Sequence, residues 1–237
     1  MKGIILSGGS GTRLLPLTKV TSKQLLPVYN KPMIMYPLET LLQAGIRDIL
    51  IIVAPDHAGD YLKLLGSGKE FGANFSYEIQ DKPEGLACAF LIGENFIKGD
   101  SVAMILGDNL FEDDVSDTIR NFKSGGHLFA KEVPDPERFG VVKFDDQMNA
   151  VQIVEKPKEF LSNYALTGLY IFDDRVAQAA KAVQPSERGE LEITEIQNWY
   201  LQKGELKVDI LKGEWIDAGT FESLFKASAL ARRKTLK

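Results

Sequence analysis

The sequence predicts an α/β protein with three layers, in which helices cover both faces of a mostly parallel, mixed central sheet. Short apolar runs at residues 4–6, 49–53 and 102–106 end in glycine, proline or a polar turn, which is typical of buried parallel strands. Amphipathic helical patterns lie between these runs. Because strands and helices alternate, we expect a Rossmann-like arrangement.

The elements change character along the chain. Helical patterns lie near residues 38–46, with a stop at Gly45, and near 61–65. After about residue 125, strands are predicted at roughly 127–133, 139–144, 150–155 and 165–172, and helices at about 174–182, 192–202 and 221–233. No linker or repeat divides these segments. We therefore expect one domain, residues 1–237, with subregions 1–125 and 126–237.

The composition limits the possible partners and compartments. With 28 basic and 33 acidic residues the formal charge is 28 − 33 = −5, which gives no general attraction to nucleic acid or to an anionic membrane. The single cysteine, Cys88, cannot form an internal disulfide, and no Cys/His cluster has zinc spacing. No stretch reaches 18 apolar residues, and the opening run is short for a signal peptide. We expect a cytoplasmic protein.

A glycine-rich segment follows the first predicted strand. Gly8, Gly9 and Gly11 would let backbone N–H groups approach an anion closely, and Arg13 and Lys23 could flank such a loop with positive charge. The segment matches neither a Walker-type loop nor G-x-G-x-x-G. A tight strand-to-helix turn would also need glycine, so phosphate binding and a purely structural turn both stay open at this point.

Ordered motifs along the chain carry a resemblance. Residues 8–14 read G-G-x-G-T-R-L, and residues 23–27 read K-x-x-L-P. Further matching segments lie at residues 106–109, 136–142, 155–158, 167–170, 188–194 and 215–220. The sequence resembles the sugar-1-phosphate nucleotidylyltransferase family over essentially its whole length. It stops shortly after the helix predicted at 221–233, without the longer helical tail of many members.

The resemblance implies a fold of the nucleotide-diphospho-sugar transferase type and a magnesium-dependent transfer. The branch that it most resembles transfers a thymidylyl group from dTTP to glucose 1-phosphate and gives dTDP-glucose and pyrophosphate. Residues 1–125 would bind the nucleotide and residues 126–237 the sugar phosphate. Because a phosphate oxygen is already ionised, no activated serine, cysteine or histidine is needed.

The resemblance also implies the site residues. Catalytic roles fall on Arg13, Lys23, Asp108, Lys156 and Asp217, of which Asp108 and Asp217 are the expected Mg²⁺ ligands. Nucleotide binding falls on Leu6, Gly8, Gly9, Gly11, Thr12, Arg13, Gln24, Gln80 and Gly85, and sugar-phosphate binding on Asn109, Gly140, Glu155, Lys156, Thr167, Tyr170 and Arg188. The Gln80 amide could pair with thymine or uracil, and Arg188 would be a second phosphate clamp.

Each assignment has a plainer alternative. An aspartate after a strand often caps a turn, Lys156 and Arg188 could form surface ion pairs, and Gln80 could simply end a strand. We interpret Glu112, Asp113 and Asp114 as the solvated start of a helix.

Other readings of the function also remain. Uridylyl transfer from UTP to the same sugar is the nearest enzymatic alternative, and a non-catalytic, sugar-nucleotide-binding regulatory subunit is the alternative of another class. We expect a homo-oligomer, because members of the family that the chain resembles assemble; the apolar residues Leu224, Phe225 and Leu230 of the last helix could face either the core or a partner.

Overall fold

A computed structural model describes residues 1–9 and 11–236, and Ser10 and Lys237 lie outside the described residues. The strands are β1 Lys2–Ser7, β2 Pro27–Val28, β3 Lys31–Pro32, β4 Asp48–Val53, β5 Asn74–Ile79, β6 Val102–Leu106, β7 Asn109–Phe111, β8 Gly126–Glu132, β9 Gly140–Phe144, β10 Ala150–Glu155, β11 Tyr164–Phe172, β12 Leu206–Ile210 and β13 Trp215–Asp217. The helices are α1 Met35–Gln43, α2 Ala58–Leu65, α3 Cys88–Ile92, α4 Glu94–Ile97, α5 Ser116–Asn121, α6 Val176–Ala182, α7 Ile193–Leu201 and α8 Phe221–Thr235.

The central sheet of the described residues has nine strands and one dominant direction. β5, β4, β1 and β6 are parallel neighbours, with Ile5 level with Ile51 and Ile105. β11 runs antiparallel to β6, β8 and β9, and β8 pairs in parallel with β12. The β9–β10 hairpin completes the sheet. Only β10 and β11 therefore oppose the common direction within these strands, which confirms the mostly parallel, mixed sheet.

Two apolar cores lie on opposite faces of this sheet, because alternate residues of a strand point to opposite sides. Ile4 and Leu6 pack with α3, α6 and α7 on one face, whereas Ile5 packs with α1, α2 and α5 on the other. Helices on both faces confirm the three-layer prediction. Both cores draw residues from the two predicted subregions, and the division into one domain with two subregions stays a prediction.

A third, smaller core anchors α8. Leu230 is buried there against Val28 and Ile216, and the helix begins at a capping box in which the side chains of Thr220 and Ser223 each accept the other's backbone N–H. Phe225 points outward and is 73 % exposed. Of the three apolar residues considered, Leu230 belongs to this core and Leu224 packs against it, whereas Phe225 does not; the homo-oligomer stays a prediction.

The expectation that Glu112, Asp113 and Asp114 begin a helix is wrong in part. Asp113 accepts hydrogen bonds from the backbone N–H of Gly213 at 2.9 and 3.0 Å. The two residues lie close together because β7 and β13 form a two-stranded ribbon, which the sequence pattern did not reveal. Glu112 likewise accepts the N–H of residue 214. Only Asp114 is close to a helix start, where it accepts the N–H of Ser116 at the beginning of α5.

Within the part of the chain that the structure describes, none of the helices combines the length and apolar character needed to span a bilayer.

One buried carboxylate ties several elements together at the end of β11. Asp173 accepts the backbone N–H of Gly125 at 2.7 Å and the hydroxyl of Tyr200 at 2.8 Å, and it pairs with Arg175 at 2.6 Å. Burial opposes the charge, but the Arg175 guanidinium and these donors outweigh burial and hold the pKa of Asp173 below its ordinary value. The ionised carboxylate thus links the loop before β8 to α6 and α7.

We expect Asp173→Ala to lower the free energy of unfolding by about 2–4 kcal/mol at neutral pH, because three donors lose a buried acceptor. A carboxyl group whose pKa is lower in the folded than in the unfolded state stabilises the fold at pH values above its unfolded-state pKa. This stabilisation is lost as the pH falls below about 3.9 and the group becomes protonated. Urea unfolding of variant and wild type between pH 3 and 8 measures both effects. The difference in the free energy of unfolding between the two proteins should become smaller in acid. The exposed neighbour Asp174, changed to alanine, is the control; an equal loss there would contradict the assignment.

Candidate active site

The candidate site lies at the carboxyl ends of the parallel strands. Gly8 and Gly9 follow β1, Gln80 follows β5, and Asp108 follows β6. In open sheets of this type the ends of the parallel strands form one edge, where ligands bind. Residues distant in sequence are therefore close in space.

Lys23 and Asp108 form a buried ion pair at this edge. Burial alone would lower the pKa of Lys23 and raise that of Asp108. Their mutual attraction more than offsets this cost, so the pKa of Lys23 lies above, and that of Asp108 below, the ordinary value. Both groups are therefore charged at neutral pH, although a buried pair adds little to fold stability.

Asn109 connects Asp108 to two other elements. Its amide nitrogen donates to Asp108 at 3.0 Å, and its oxygen accepts the N–H of Gly168 at 3.0 Å and the indole N–H of Trp215 at 2.6 Å. The residue is 1 % exposed. A side chain at Gly168 would collide with this oxygen, since a Cβ there would lie 2.6 Å from it. Asn109 therefore orients the carboxylate by its contacts with β11 and β13.

Asp217 reaches the same place from the β7–β13 ribbon, in which it is level with Asn109. Its Oδ1 atom is buried and has no hydrogen-bond partner among the described residues. Burial, and then the charge of Asp108, raise the pKa of Asp217 to about 6. The carboxylates of Asp108 and Asp217 are thus close together, and one oxygen of Asp217 accepts no hydrogen bond from the described residues.

Arg13 approaches Asp217 where the backbone leaves room. A Cβ at Gly219 would lie 2.9 Å from a guanidinium nitrogen of Arg13 and 3.0 Å from Oδ1 of Asp217. Glycine at this position therefore permits the cation and the carboxylate to come close together. Across residues 1–9 and 11–236, no three His, Cys, Asp or Glu side chains converge as a metal-binding group. The available protein donors are the two carboxylates.

Two cavities meet at this centre. The smaller, about 190 Å³, is lined by the predicted residues Leu6, Gly8, Gly9, Lys23, Gln24, Gln80, Gly85 and Asp108, together with Pro83, Leu86, Leu106 and Glu190. The larger, about 440 Å³, is lined by the predicted residues Arg13, Asn109, Gly140, Glu155, Lys156, Tyr170 and Asp217 and by others that include Leu86 and Leu106. The same two leucines line both cavities, so the cavities are adjacent.

Two glycines shape the smaller cavity. A Cβ at Gly8 would lie 2.5 Å from the amide oxygen of Gln80, so only glycine admits that amide beside β1. Gly85 has φ +103°, and a Cβ there would lie 2.4 Å from the carbonyl oxygen of Leu191. The amide oxygen of Gln24 is fixed by the hydroxyl of Ser22 at 2.8 Å. The amide of Gln24 is thus held by a hydrogen bond, and the amide of Gln80 lies beside Gly8.

The loop after β1 is only partly at the cavity. Gly11 has φ +63° and precedes a short 3₁₀ turn, and its carbonyl oxygen accepts the hydroxyl of Thr18. Neither Gly11 nor Thr12 lines the two cavities, and Thr12 is exposed. The structure therefore brings Gly8 and Gly9 to Lys23 and leaves Gly11 and Thr12 outside the cavities.

Glu155 and Lys156 lie at the far wall of the larger cavity. Burial, reinforced by the charge of Glu192, raises the pKa of Glu155 despite the neighbouring Lys156 and Arg188. Lys156 has φ +41°, a left-handed conformation that is uncommon outside glycine. Its ammonium group is 3.7 Å from Glu155.

Two predicted sugar-phosphate residues are not brought to the larger cavity. Arg188 is bound to carboxylates, with Glu192 at 2.8 Å and Glu155 at 3.4 Å, and it lines a neighbouring cavity of about 400 Å³. Thr167 lies between Leu166 and Gly168, which do line the larger cavity, and alternation along β11 turns its side chain to the other face. Its hydroxyl is buried without a hydrogen-bond partner in the described part of the chain.

Sequence reasoning assigned no site role to several cavity residues, including Arg138, Phe139, Thr194, Gln197 and Trp215. Trp215 belongs to the matching segment at residues 215–220, but sequence reasoning gave its indole ring no role in the site. For Gln197 a signal existed, because a glutamine four residues after Ile193 falls on the buried face of the predicted helix.

The profile of the nucleotidyl transferase family matches residues 2–234. The chain belongs to the nucleotidyl transferase family. It is 51 % identical over 238 residues to a glucose-1-phosphate thymidylyltransferase of Neisseria meningitidis, covering 98 % of this chain and 83 % of that protein. It is 52 % identical over 237 residues to the protein of that name from Mycolicibacterium smegmatis, covering 98 % and 82 %.

Solved structures of two similar proteins agree with the fold. A Bacillus anthracis structure assigned as a glucose-1-phosphate thymidylyltransferase, solved with sucrose, has a TM-score of 0.93 and 49 % identity and covers 98 % of this chain and 95 % of that one. A UDP-glucose pyrophosphorylase complexed with UDP-glucose has a TM-score of 0.85 and 25 % identity and covers 98 % of each chain. The expected family and fold are confirmed.

We expect Asn109→Ala to lower the free energy of unfolding by about 2–3 kcal/mol, because the buried N–H groups of Gly168 and Trp215 lose their acceptor. Chemical denaturation measures this loss. The matched control is Asn121→Ala at the exposed end of α5, which should change stability by less than about 0.5 kcal/mol. Equal stability of the two variants would show that the Asn109 hydrogen bonds do not support the fold.

Proposed function

We propose that the protein transfers a thymidylyl group from dTTP to glucose 1-phosphate, giving dTDP-glucose and pyrophosphate. One observation carries the proposal: two adjacent cavities meet where two carboxylates and two cations come together. Asp108 and Lys23 line the smaller cavity, and Asp217 and Arg13 line the larger cavity. A transfer between two substrates requires such a meeting point. The family and the names of the relatives at about 50 % identity supply the reaction and the substrates.

The proposed chemistry requires placement and charge compensation. An ionised oxygen of the sugar phosphate attacks the α-phosphorus of the nucleotide in line, and pyrophosphate leaves from the opposite side. Negative charge accumulates on the phosphoryl oxygens, and Arg13 and Lys23 are the cations placed to compensate it. Fixed placement of both substrates supplies much of the remaining rate enhancement.

The donor set fits a magnesium ion. Mg²⁺ is commonly held by one or two protein carboxylates together with substrate phosphates and waters, and Asp108 and Asp217 offer such a pair. The unpartnered Oδ1 of Asp217 and its raised pKa indicate carboxylates whose mutual repulsion a divalent cation would relieve. Asp108 and Asp217 would hold the ion, which when bound supplies charge neutralisation at the phosphates.

The smaller cavity suits the nucleotide. We assign Gln80 and the backbone at Gly85 to the base, with Leu6 and Gln24 beside them, because an amide donor and acceptor match the edge of thymine or uracil. Gly8 and Gly9, next to Lys23, are assigned to the phosphates. Gly11 and Thr12 line neither cavity, and their assignment to the nucleotide stays a prediction.

The larger cavity suits the sugar phosphate. Lys156 is assigned to the phosphate, and Glu155 to sugar hydroxyls, with Gly140 and Tyr170 completing the wall. Asn109 acts through Asp108, because its side-chain groups already bind neighbours. Arg188 could serve as a phosphate clamp only after leaving Glu192, and Thr167 would support β11 from the opposite face.

The decisive assay is pyrophosphate release with Mg²⁺ and glucose 1-phosphate, comparing dTTP, UTP, ATP, CTP and GTP. We expect release with dTTP, or with dTTP and UTP, and a loss of at least about 100-fold in Asp108→Asn, where a negative charge that would hold Mg²⁺ disappears. The matched control is Asp146→Asn in the exposed β9–β10 turn, which should keep full activity. Release with UTP alone would establish uridylyl transfer. No release with any nucleotide, despite binding of a sugar nucleotide, would establish a regulatory subunit.

We expect Gly8→Ala to weaken dTTP binding about 10-fold, because the new methyl group displaces the end of the Gln80 side chain. Calorimetric titration measures the affinity, and thermal unfolding shows that the fold persists. The control is Gly59→Ala in α2, where no atom lies within 4 Å of the added Cβ. Unchanged dTTP affinity in Gly8→Ala would remove Gln80 from the base site.

A further inference from the structure

Helix α7 places a polar side chain at a core position. Ile193, Ile196 and Tyr200 of this helix are buried in the core beneath the sheet, and Gln197 lies on the same face with 1 % of its surface exposed. Neither the amide oxygen nor the amide nitrogen of Gln197 has a hydrogen-bond partner among the described residues. Burying an amide with both groups unpaired is unfavourable, and nearly all such groups in proteins find a partner.

The missing partner belongs in the larger cavity. Gln197 lines it together with Ile193 and Thr194 from the same helix, and Glu155 and Tyr170 line it too. The helix thus presents an amide, a hydroxyl and an apolar side chain to the 440 Å³ space. Apolar walls with a few placed polar groups are the usual composition of a small-molecule pocket.

The chemistry of the amide defines the partner. A primary amide offers one acceptor and one donor side by side, and two neighbouring hydroxyls of a sugar ring can satisfy both at once. A phosphate oxygen accepts only and would leave the amide oxygen unpaired. An apolar ligand surface would leave both unpaired.

We propose that Gln197 is a specificity residue that binds neighbouring ring hydroxyls of the sugar phosphate, so that the site selects hydroxylated hexose 1-phosphates over their deoxy analogues. This inference rests on the proposed function and deepens it. A site with a buried amide rejects a substrate that lacks the matching hydroxyl, because the amide is then left unpaired.

The test measures kinetics of the full chain with dTTP and with glucose 1-phosphate or its 2-, 3-, 4- and 6-deoxy analogues. For wild type, we expect at least one deoxy analogue to lose about 10- to 100-fold in kcat/KM. Gln197→Met keeps the side-chain size and removes both hydrogen-bonding groups. In this variant, kcat/KM for glucose 1-phosphate should fall by about the factor that wild type loses with the sensitive deoxy analogue, mainly through a higher KM for the sugar phosphate. The ratio of kcat/KM for glucose 1-phosphate to kcat/KM for that analogue should then be below about 3.

The controls separate sugar binding from a structural role. The KM for dTTP should stay within about 2-fold of wild type in Gln197→Met. The exposed Gln202 follows the same helix, and Gln202→Met should match wild type with every substrate. A structural role predicts a lower melting temperature with unchanged sugar discrimination, and that result would overturn the inference. Where Gln197→Met does not fold, Gln197→Asn carries the same test, since it withdraws the amide by one methylene group and keeps its polarity.

Failure of the inference and failure of the proposed function give different results. If wild type releases pyrophosphate but shows no penalty for any deoxy analogue, only the Gln197 assignment is wrong. If wild type releases no pyrophosphate with any nucleotide, the proposed function is wrong. In that case, calorimetric binding of glucose 1-phosphate to wild type and Gln197→Met decides the inference: equal affinity overturns it, and a 10-fold loss supports it.

Discussion

The close approach of two buried carboxylates, Asp108 and Asp217, is the constraint on which the rest of the site depends. Like charges away from water repel each other, and burial, followed by the charge of Asp108, raises the pKa of Asp217 to about 6. The arrangement persists because Lys23 neutralises one carboxylate and Arg13 lies beside the other. A chain with net charge −5 thus places two cations beside the two carboxylates at the point where the cavities meet.

Rigid elements hold these charges in place. Asp108 is fixed at the end of a central strand, and Asp217 is fixed by a three-residue ribbon partner, with Asn109 bonded to both sides of the junction. Rigid supports matter because misplacement by about 1 Å can cost a reaction about 100-fold in rate. The short, irregular segments therefore orient the charged side chains, while the long parallel strands stabilise the fold.

The sequence predicted the parallel strands and most helices because continuous apolar runs and amphipathic periods are local signals. Asp108, Gln80 and Gly8 could be placed at one edge because parallel strands share their carboxyl ends. The β7–β13 ribbon could not be predicted, since its two strands are three residues long and about 100 residues apart. The alternation of β11 could have shown that Thr167 faces away from Leu166 and Gly168, but the resemblance assigned it to the sugar. The ion pair of Arg188 with Glu192 depends on a loop whose path no sequence pattern specified.

The wall between the two cavities has a consequence for the range of compounds that the protein can accept. Leu86 and Leu106 line both spaces, so the two occupants would press on opposite sides of the same side chains. Closely packed side chains do not yield independently, and a bulkier group on one side moves the surface offered to the other. Under the proposed assignment of the cavities, tolerance for altered bases and tolerance for altered sugars would therefore be coupled, and a smaller side chain in place of either leucine would reshape both cavities.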